Sequence, residues 1–220
     1  MQRRTNICFH GIGTPDRDLE PGESTYWIAR DQFGEILDYL AKEPTVRLSF
    51  DDGNASDVAI ALPALAKRGL RATFFPVACR IGRTGSVDRD GLRALASHGM
   101  EIGSHGMHHQ SWRRLSDPEL DEELVRARTV IAEESGLAVD TAACPLGEYD
   151  RHVLTRLRRL GYSRVFTSDR STAHPRAWLQ PRYSVTADDS PQSVRATVEE
   201  RVPATAAAIS FGKRVVKRWR

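Results

Sequence analysis

Lys67-Arg68-Gly69-Leu70-Arg71-Ala72-Thr73-Phe74-Phe75 reads as the last turn of a helix, a glycine, and then a strand. Gly69 suits the residue just past a helix, where the backbone turns left-handed and a Cβ would clash. The same order recurs at Ser97-His98-Gly99-Met100-Glu101-Ile102, at Glu134-Ser135-Gly136 before Thr141-Ala142-Ala143, and at Arg159-Leu160-Gly161 before Val165-Phe166-Thr167. Upstream segments carry helical periodicity: Phe33, Ile36, Leu37 and Leu40 share one face, Leu92, Leu95 and Ala96 another, and Val153, Leu154, Leu157 and Leu160 a third. Strand and helix alternating over about six units predict an α/β fold with a parallel sheet, open or closed into a barrel, with the active site at the carboxyl ends of the strands.

Working outward, Ser116-Asp117-Pro118-Glu119 has capping-box spacing with proline in the first turn, and leads into Leu120, Leu124, Ala127 and Ile131. Pro63 sits inside a helical pattern, so that helix is expected to kink there or to begin near Leu62. The chain has 220 residues, 40% hydrophobic and 28% charged, which fits one domain with its own core. No run approaches the roughly 18 apolar residues of a membrane span. The net charge is +3, but residues 212–220 contribute +5, leaving −2 on residues 1–211. The expected organisation is therefore a domain over 1–211 with a basic tail over 212–220, and the body is not expected to bind nucleic acid. Cys8, Cys79 and Cys144 have no metal-ligand spacing and read as buried free thiols of a reducing compartment.

Three stretches could carry chemistry. In Val46-Arg47-Leu48-Ser49-Phe50, the apolar residues alternate toward the helices, so Asp51 continues the other face at the strand's carboxyl end. Asp51-Asp52-Gly53 then sets two carboxylates at the rim, suited to binding a cation and accepting a proton; alone, the triplet more commonly composes a turn or helix cap. His105 and His109 are four apart after a short strand, so one helical turn would converge both imidazoles on a metal such as zinc, with His105 and His108 as a competing pair. Two imidazoles, one carboxylate and an open position for water describe a hydrolytic site; a polar loop is the alternative. Finally, Cys144-Pro145-Leu146-Gly147-Glu148-Tyr149-Asp150 joins a strand to a helix, where a backbone N–H could face a developing oxyanion.

Together, Ser49-Phe50-Asp51-Asp52-Gly53, His105-x-x-x-His109 and Pro145-Leu146-Gly147-Glu148-Tyr149-Asp150 resemble the first three motifs of the polysaccharide deacetylases, the NodB-homology or carbohydrate esterase family 4 group. The resemblance covers about residues 5–185 and includes Pro63-Ala64-Leu65 and Ala72-Thr73-Phe74-Phe75. It implies a single-domain, distorted (β/α)7-type barrel, TIM-barrel-like, that removes acetyl groups from sugars, N-deacetylation foremost. It also implies one divalent metal per chain, zinc foremost, held by Asp52, His105 and His109, with Asp51 as general base to the metal's water and the Leu146 N–H as oxyanion donor.

Some positions depart from the family pattern. Gly106 replaces the usual Ser or Thr, Ala143 replaces an Arg that orients the base, and no histidine follows His174 to supply the late general acid. His10, closing the strand Ile7-Cys8-Phe9, resembles the acid of deacetylases with rearranged motifs, and Arg182 resembles a late arginine that pairs with the base. His98 and His174 read as surface residues. Two rival functions follow: a weakly active barrel kept as a sugar-binding module, and a metal-dependent hydrolase of another non-peptide C–N bond. The N-terminal stretch lacks a signal-peptide core, so the expected setting is cytoplasmic. The tail Lys213-Arg214-Val215-Val216-Lys217-Arg218-Trp219-Arg220 could rest on anionic lipid at the inner face of the membrane, or extend as a solvated tail. Such a setting suits an acetylated lipid-linked or nucleotide-linked sugar precursor as partner. Oligomeric state is not legible.

Overall fold

The computed structural model describes residues 3–199. Its strands are β1 (Thr5–Phe9), β2 (Gly11–Ile12), β3 (Trp27–Ile28), β4 (Val46–Asp52), β5 (Ala72–Pro76), β6 (Glu101–Ile102), β7 (Thr141–Ala143), β8 (Arg164–Thr167), β9 (Leu179–Pro181) and β10 (Tyr183–Ser184). The helices are α1 (Arg30–Leu40), α2 (Leu62–Lys67), α3 (Arg89–Ser97), α4 (Asp117–Asp121), α5 (Ala127–Ser135), α6 (Arg151–Arg159) and α7 (Pro191–Glu199). A parallel sheet runs β10-β1-β4-β5-β6 and a second runs β7-β8-β9. A single parallel bridge, Ser104 with Ala142, joins β6 to β7. Strands β9 and β10 are one passage of chain interrupted at Arg182, pairing with β8 on one side and β1 on the other. The ring thus closes with seven staves, the expected distorted (β/α)7 barrel.

The alternation in β4 sets the two faces of the wall. Phe50 points outward, stacked on Phe74 at 4.7 Å between ring centroids and on Phe9 at 5.3 Å, while Phe33 of α1 meets Phe9 edge-on at 5.1 Å. Ser49 and Asp51 point inward and meet Arg182. A second core of Trp112, Leu120, Leu124, Tyr149, Leu157 and Tyr162 lies against β7 and β8.

Gly69, Gly99, Gly136 and Gly161 all take the left-handed backbone expected past a helix, with φ between 64° and 75°. Around Pro63 the helix does not break: a π-helical turn over Asp57–Ala61 runs into α2, which begins at Leu62, so the proline's missing N–H falls in the first α-helical turn. The capping box forms as read, with the Glu119 carboxylate accepting from Ser116 N at 2.7 Å and Ser116 Oγ at 2.6 Å. None of the three cysteines forms a disulfide; Cys8 and Cys144 are buried, whereas Cys79 is only half-buried. No helix among the described residues is long and apolar enough to cross a membrane. The basic tail over 212–220, with the lipid contact expected of it, lies outside the described residues, as does the end of the 1–211 domain.

Candidate active site

Asp51 and Asp52 end β4, the longest strand, at the carboxyl mouth of the barrel. Asp52 and Gly53 both have positive φ, 75° and 71°. At Gly53 a Cβ would fall 2.8 Å from Cβ of Pro76 on the neighbouring strand, so the exit of β4 admits only glycine. For Asp52 the same backbone is strained, and such strain concentrates where a side chain must be aimed.

His105 and His109 converge on Asp52, but not through a helical turn. The segment is an irregular loop, turned by left-handed residues at Gly106 (φ 82°) and His109 (φ 54°). His105 Nε2 lies 3.7 Å and His109 Nε2 3.3 Å from Asp52 Oδ1. Each imidazole has its other nitrogen occupied: His105 Nδ1–H donates to the Ala143 carbonyl at 2.9 Å, and His109 Nδ1–H to Glu20 Oε2 at 2.6 Å. With Nδ1 so engaged, both rings turn Nε2 toward one point, where the neutral imidazole offers a lone pair. The Asp52 Oδ1 facing them is buried and has no hydrogen-bond partner among the described residues. Ligand atoms of Asp52, His105 and His109 all lie within 4.8 Å of one another, whereas His108 is exposed, so it is His109 that the fold brings beside Asp52 and His105.

Those donors fit a divalent metal. An unpaired buried carboxylate oxygen is costly, and two imidazole lone pairs beside it cannot relieve that, since none is a donor. A cation satisfies all three together. Cys8, His10 and Asp51 also bring ligand atoms within 4.8 Å. That group is a poorer cradle, because burial pushes the Cys8 thiol pKa far up and both Asp51 oxygens are already engaged.

Asp51 is bound bidentately by Arg182, Nη1 to Oδ1 and Nη2 to Oδ2, both at 2.6 Å, and Arg182 is fully buried. Burial alone would raise the Asp51 pKa; the Arg182 guanidinium and, next, His105 outweigh it and hold the carboxyl well below the usual range. Arg182 also donates to Ser49 Oγ at 3.1 Å and sits over the rings of Phe75 and Phe166. With Ala143 those rings form one cluster, so the small residue at 143 is part of the room that Arg182 fills from another strand. Burial pushes His105 down to about 4.

His10 follows β1 into the same cavity, its ring 4.7 Å from that of Tyr26 and its buried Nδ1 without a hydrogen-bond partner among the described residues. Leu146 lines the cavity from the other side, left-handed (φ 56°) and 64% exposed. His98 and His174 are exposed, as expected.

Two carboxylates escaped the sequence reading. Glu20, from the loop after β2, orients His109 and is itself paired with Arg80. Glu123, fully buried, accepts from Met107 N at 2.8 Å, Gln110 Nε2 at 2.9 Å and Trp112 Nε1 at 3.2 Å, bracing the histidine loop. A Cβ on residue 106 would lie 2.4 Å from Glu123 Oε2, so Gly106 is required by the brace that stands in for a loop hydroxyl. Nothing in a lone Glu within a charged helix signals this; only the facing Trp-containing loop does.

Solved structures with this architecture are NodB-type deacetylase barrels. The Streptococcus pyogenes deacetylase PplD, solved with acetate, superposes with a TM-score of 0.78 at 18% identity, over 90% of this chain and 99% of that one. The family model described as polysaccharide deacetylase matches residues 39–165, and the chain belongs to that family. Among curated proteins of Bacillus subtilis (strain 168), YxkH, named for the polysaccharide deacetylases, is 24% identical over 155 residues, 70% of this chain and 53% of YxkH. The peptidoglycan-N-acetylmuramic acid deacetylase PdaA is 27% identical over 132 residues, 58% of this chain and 48% of PdaA. The chain spans about half the length of these curated relatives.

Proposed function

We propose that this chain is a metal-dependent hydrolase that removes the acetyl group from an N-acetylated sugar of a polysaccharide or glycan precursor. The observation that carries the reading is the partnerless Asp52 Oδ1 facing two imidazole Nε2 atoms whose other nitrogens are occupied. Asp52, His105 and His109 would hold the cation, zinc by the donor set, one per chain. Bound there, it would supply Lewis-acid chemistry, acidifying water and polarising the acetyl carbonyl.

The protein's own groups divide the remaining work. Asp51, kept ionised by Arg182, accepts the proton of the attacking water, and the two guanidinium contacts fix its direction. The Leu146 N–H donates to the carbonyl oxygen as negative charge develops on it. His10 delivers a proton to the nitrogen as the C–N bond breaks, so acetate and a free amine leave. Tyr26 and Leu146, the exposed apolar groups of the cavity, flank the sugar.

Acetate release from N-acetylglucosamine oligomers tests this. Asp51→Asn should lower turnover by roughly 100-fold or more with cation content unchanged. An Asp51→Asn protein as active as wild type would overturn the assignment of the base.

A further inference from the structure

The opposite mouth of the barrel holds a second cavity, away from the proposed chemistry. Arg4 immediately precedes β1, Arg47 is the second residue of β4, Arg71 immediately precedes β5, and Arg164 begins β8, so four arginines stand at the amino ends of the strands. All four line this cavity, whose floor reaches inward to the buried polar side chains Asn6, Ser49 and Gln180. We propose that this amino-terminal mouth binds a small soluble molecule through a phosphate group held by Arg4, Arg47, Arg71 and Arg164.

Charge balance is the first support. Among the described residues none of the four arginines forms an ion pair with a carboxylate. Glu101 is the acid lining the cavity, and it accepts from Thr73 Oγ1 at 2.9 Å. Arg4 instead feels its neighbours: burial, and then the charges of Arg47 and Arg164, lower its pKa, while Arg71 donates to the His98 carbonyl. Residues at this end of such a barrel ordinarily serve stability, which alternating signs would do and clustered like charges do not. A body whose formal charge over residues 1–211 is −2 nonetheless gathers four guanidiniums about one concavity.

The chemistry of the lining selects the ligand. Guanidiniums present paired donors in a plane that matches the oxygens of a phosphate. The floor is recessed within the strands, which suits a compact soluble phosphate better than an extended surface.

Isothermal titration of the full chain, metal loaded, with inorganic phosphate against chloride at equal ionic strength tests the site. Wild type should bind phosphate with measurable heat, each of Arg47→Gln and Arg164→Gln should weaken binding about tenfold, and the double substitution should abolish it. These exposed positions tolerate substitution, and acetate release, expected unchanged in both, confirms folding. Asp52→Asn should bind phosphate as wild type does. Binding lost in Asp52→Asn but kept in the double variant would move the anion to the other mouth and overturn the proposal, as would no phosphate heat in wild type. Sedimentation with phosphatidic-acid vesicles that depends on Arg47 and Arg164, without heat from inorganic phosphate, would assign these arginines to a lipid surface and equally overturn a soluble occupant.

Discussion

The two arcs of the barrel divide the site unequally. The arc of β1, β4, β5 and β6 has the three longest strands and the stacked core of Phe9, Phe50 and Phe74, and it presents His10, Asp51, Asp52, His105 and His109. The arc of β7, β8 and β9 has strands of three and four residues, a separate core, and the groups that orient the others. Ala143 O fixes the tautomer of His105, and Arg182 fixes Asp51. Backbone pairing joins the arcs at β6 and β7 by one bridge, and the contact of His105 with Ala143 O crosses the same seam. Most of the candidate reacting groups are thus set on the first arc, with Asp51 and His105 held from the second.

The largest way to break this division is Arg182→Leu, which leaves a buried Asp51 carboxylate with no counter-charge. The fold should lose about 3–5 kcal/mol in urea unfolding, and Arg182→Leu with Asp51→Leu should recover much of it. A wild-type denaturation midpoint for Arg182→Leu would mean that the arcs do not depend on this pair.

His10→Ala acts within the first arc alone. Hydrolysis of an N-acetylated sugar should fall about 100-fold, and that of an activated acetate ester much less, because its leaving group departs without a proton. Equal losses on both substrates would make His10 a binding residue, and no loss would remove it from the mechanism.

Glu20→Gln removes the carboxylate behind His109 while leaving the three proposed ligand side chains in place. Cation affinity, read by chelator competition, should weaken about tenfold or more. Unchanged affinity would leave Glu20 as no more than a partner of Arg80.

The smallest effect is a pH dependence of the metal-free protein. His105 is held down to about 4 in the fold against an ordinary 6.5, so between those values the unfolded chain binds more protons than the folded one. Its contribution to stability is present above about 6.5 and is lost as pH falls toward about 4. Replacing His105 by Gln should flatten that part of the stability profile; an identical slope in both proteins would assign it elsewhere.

The first arc is the more legible one, although two of the four helix-end glycines and the third motif belong to the second. Period-two alternation placed Asp51 on the inner face, glycines marked four helix ends, and three short motifs named most of the mouth. What the sequence concealed depends on contacts between distant strands. Ala143 reads as a lost arginine until Arg182, thirty-nine positions later in the chain, is seen beside the ring cluster that Ala143 belongs to. Gly106 reads as a lost hydroxyl until Glu123 is seen within 2.4 Å of where its Cβ would stand. The helical turn expected between His105 and His109 is a loop because Glu123 collects its N–H groups from outside, where a helix would have satisfied them internally. Spacing predicted which histidines meet, but not the backbone that brings them together.

Cation content after exhaustive dialysis tests the central claim most directly. Elemental analysis should find about one divalent ion per wild-type chain and almost none in Asp52→Asn or His109→Ala, with His108→Ala matching wild type. Wild-type protein that retains no cation and still releases acetate, or full cation content in both Asp52→Asn and His109→Ala, would contradict the account.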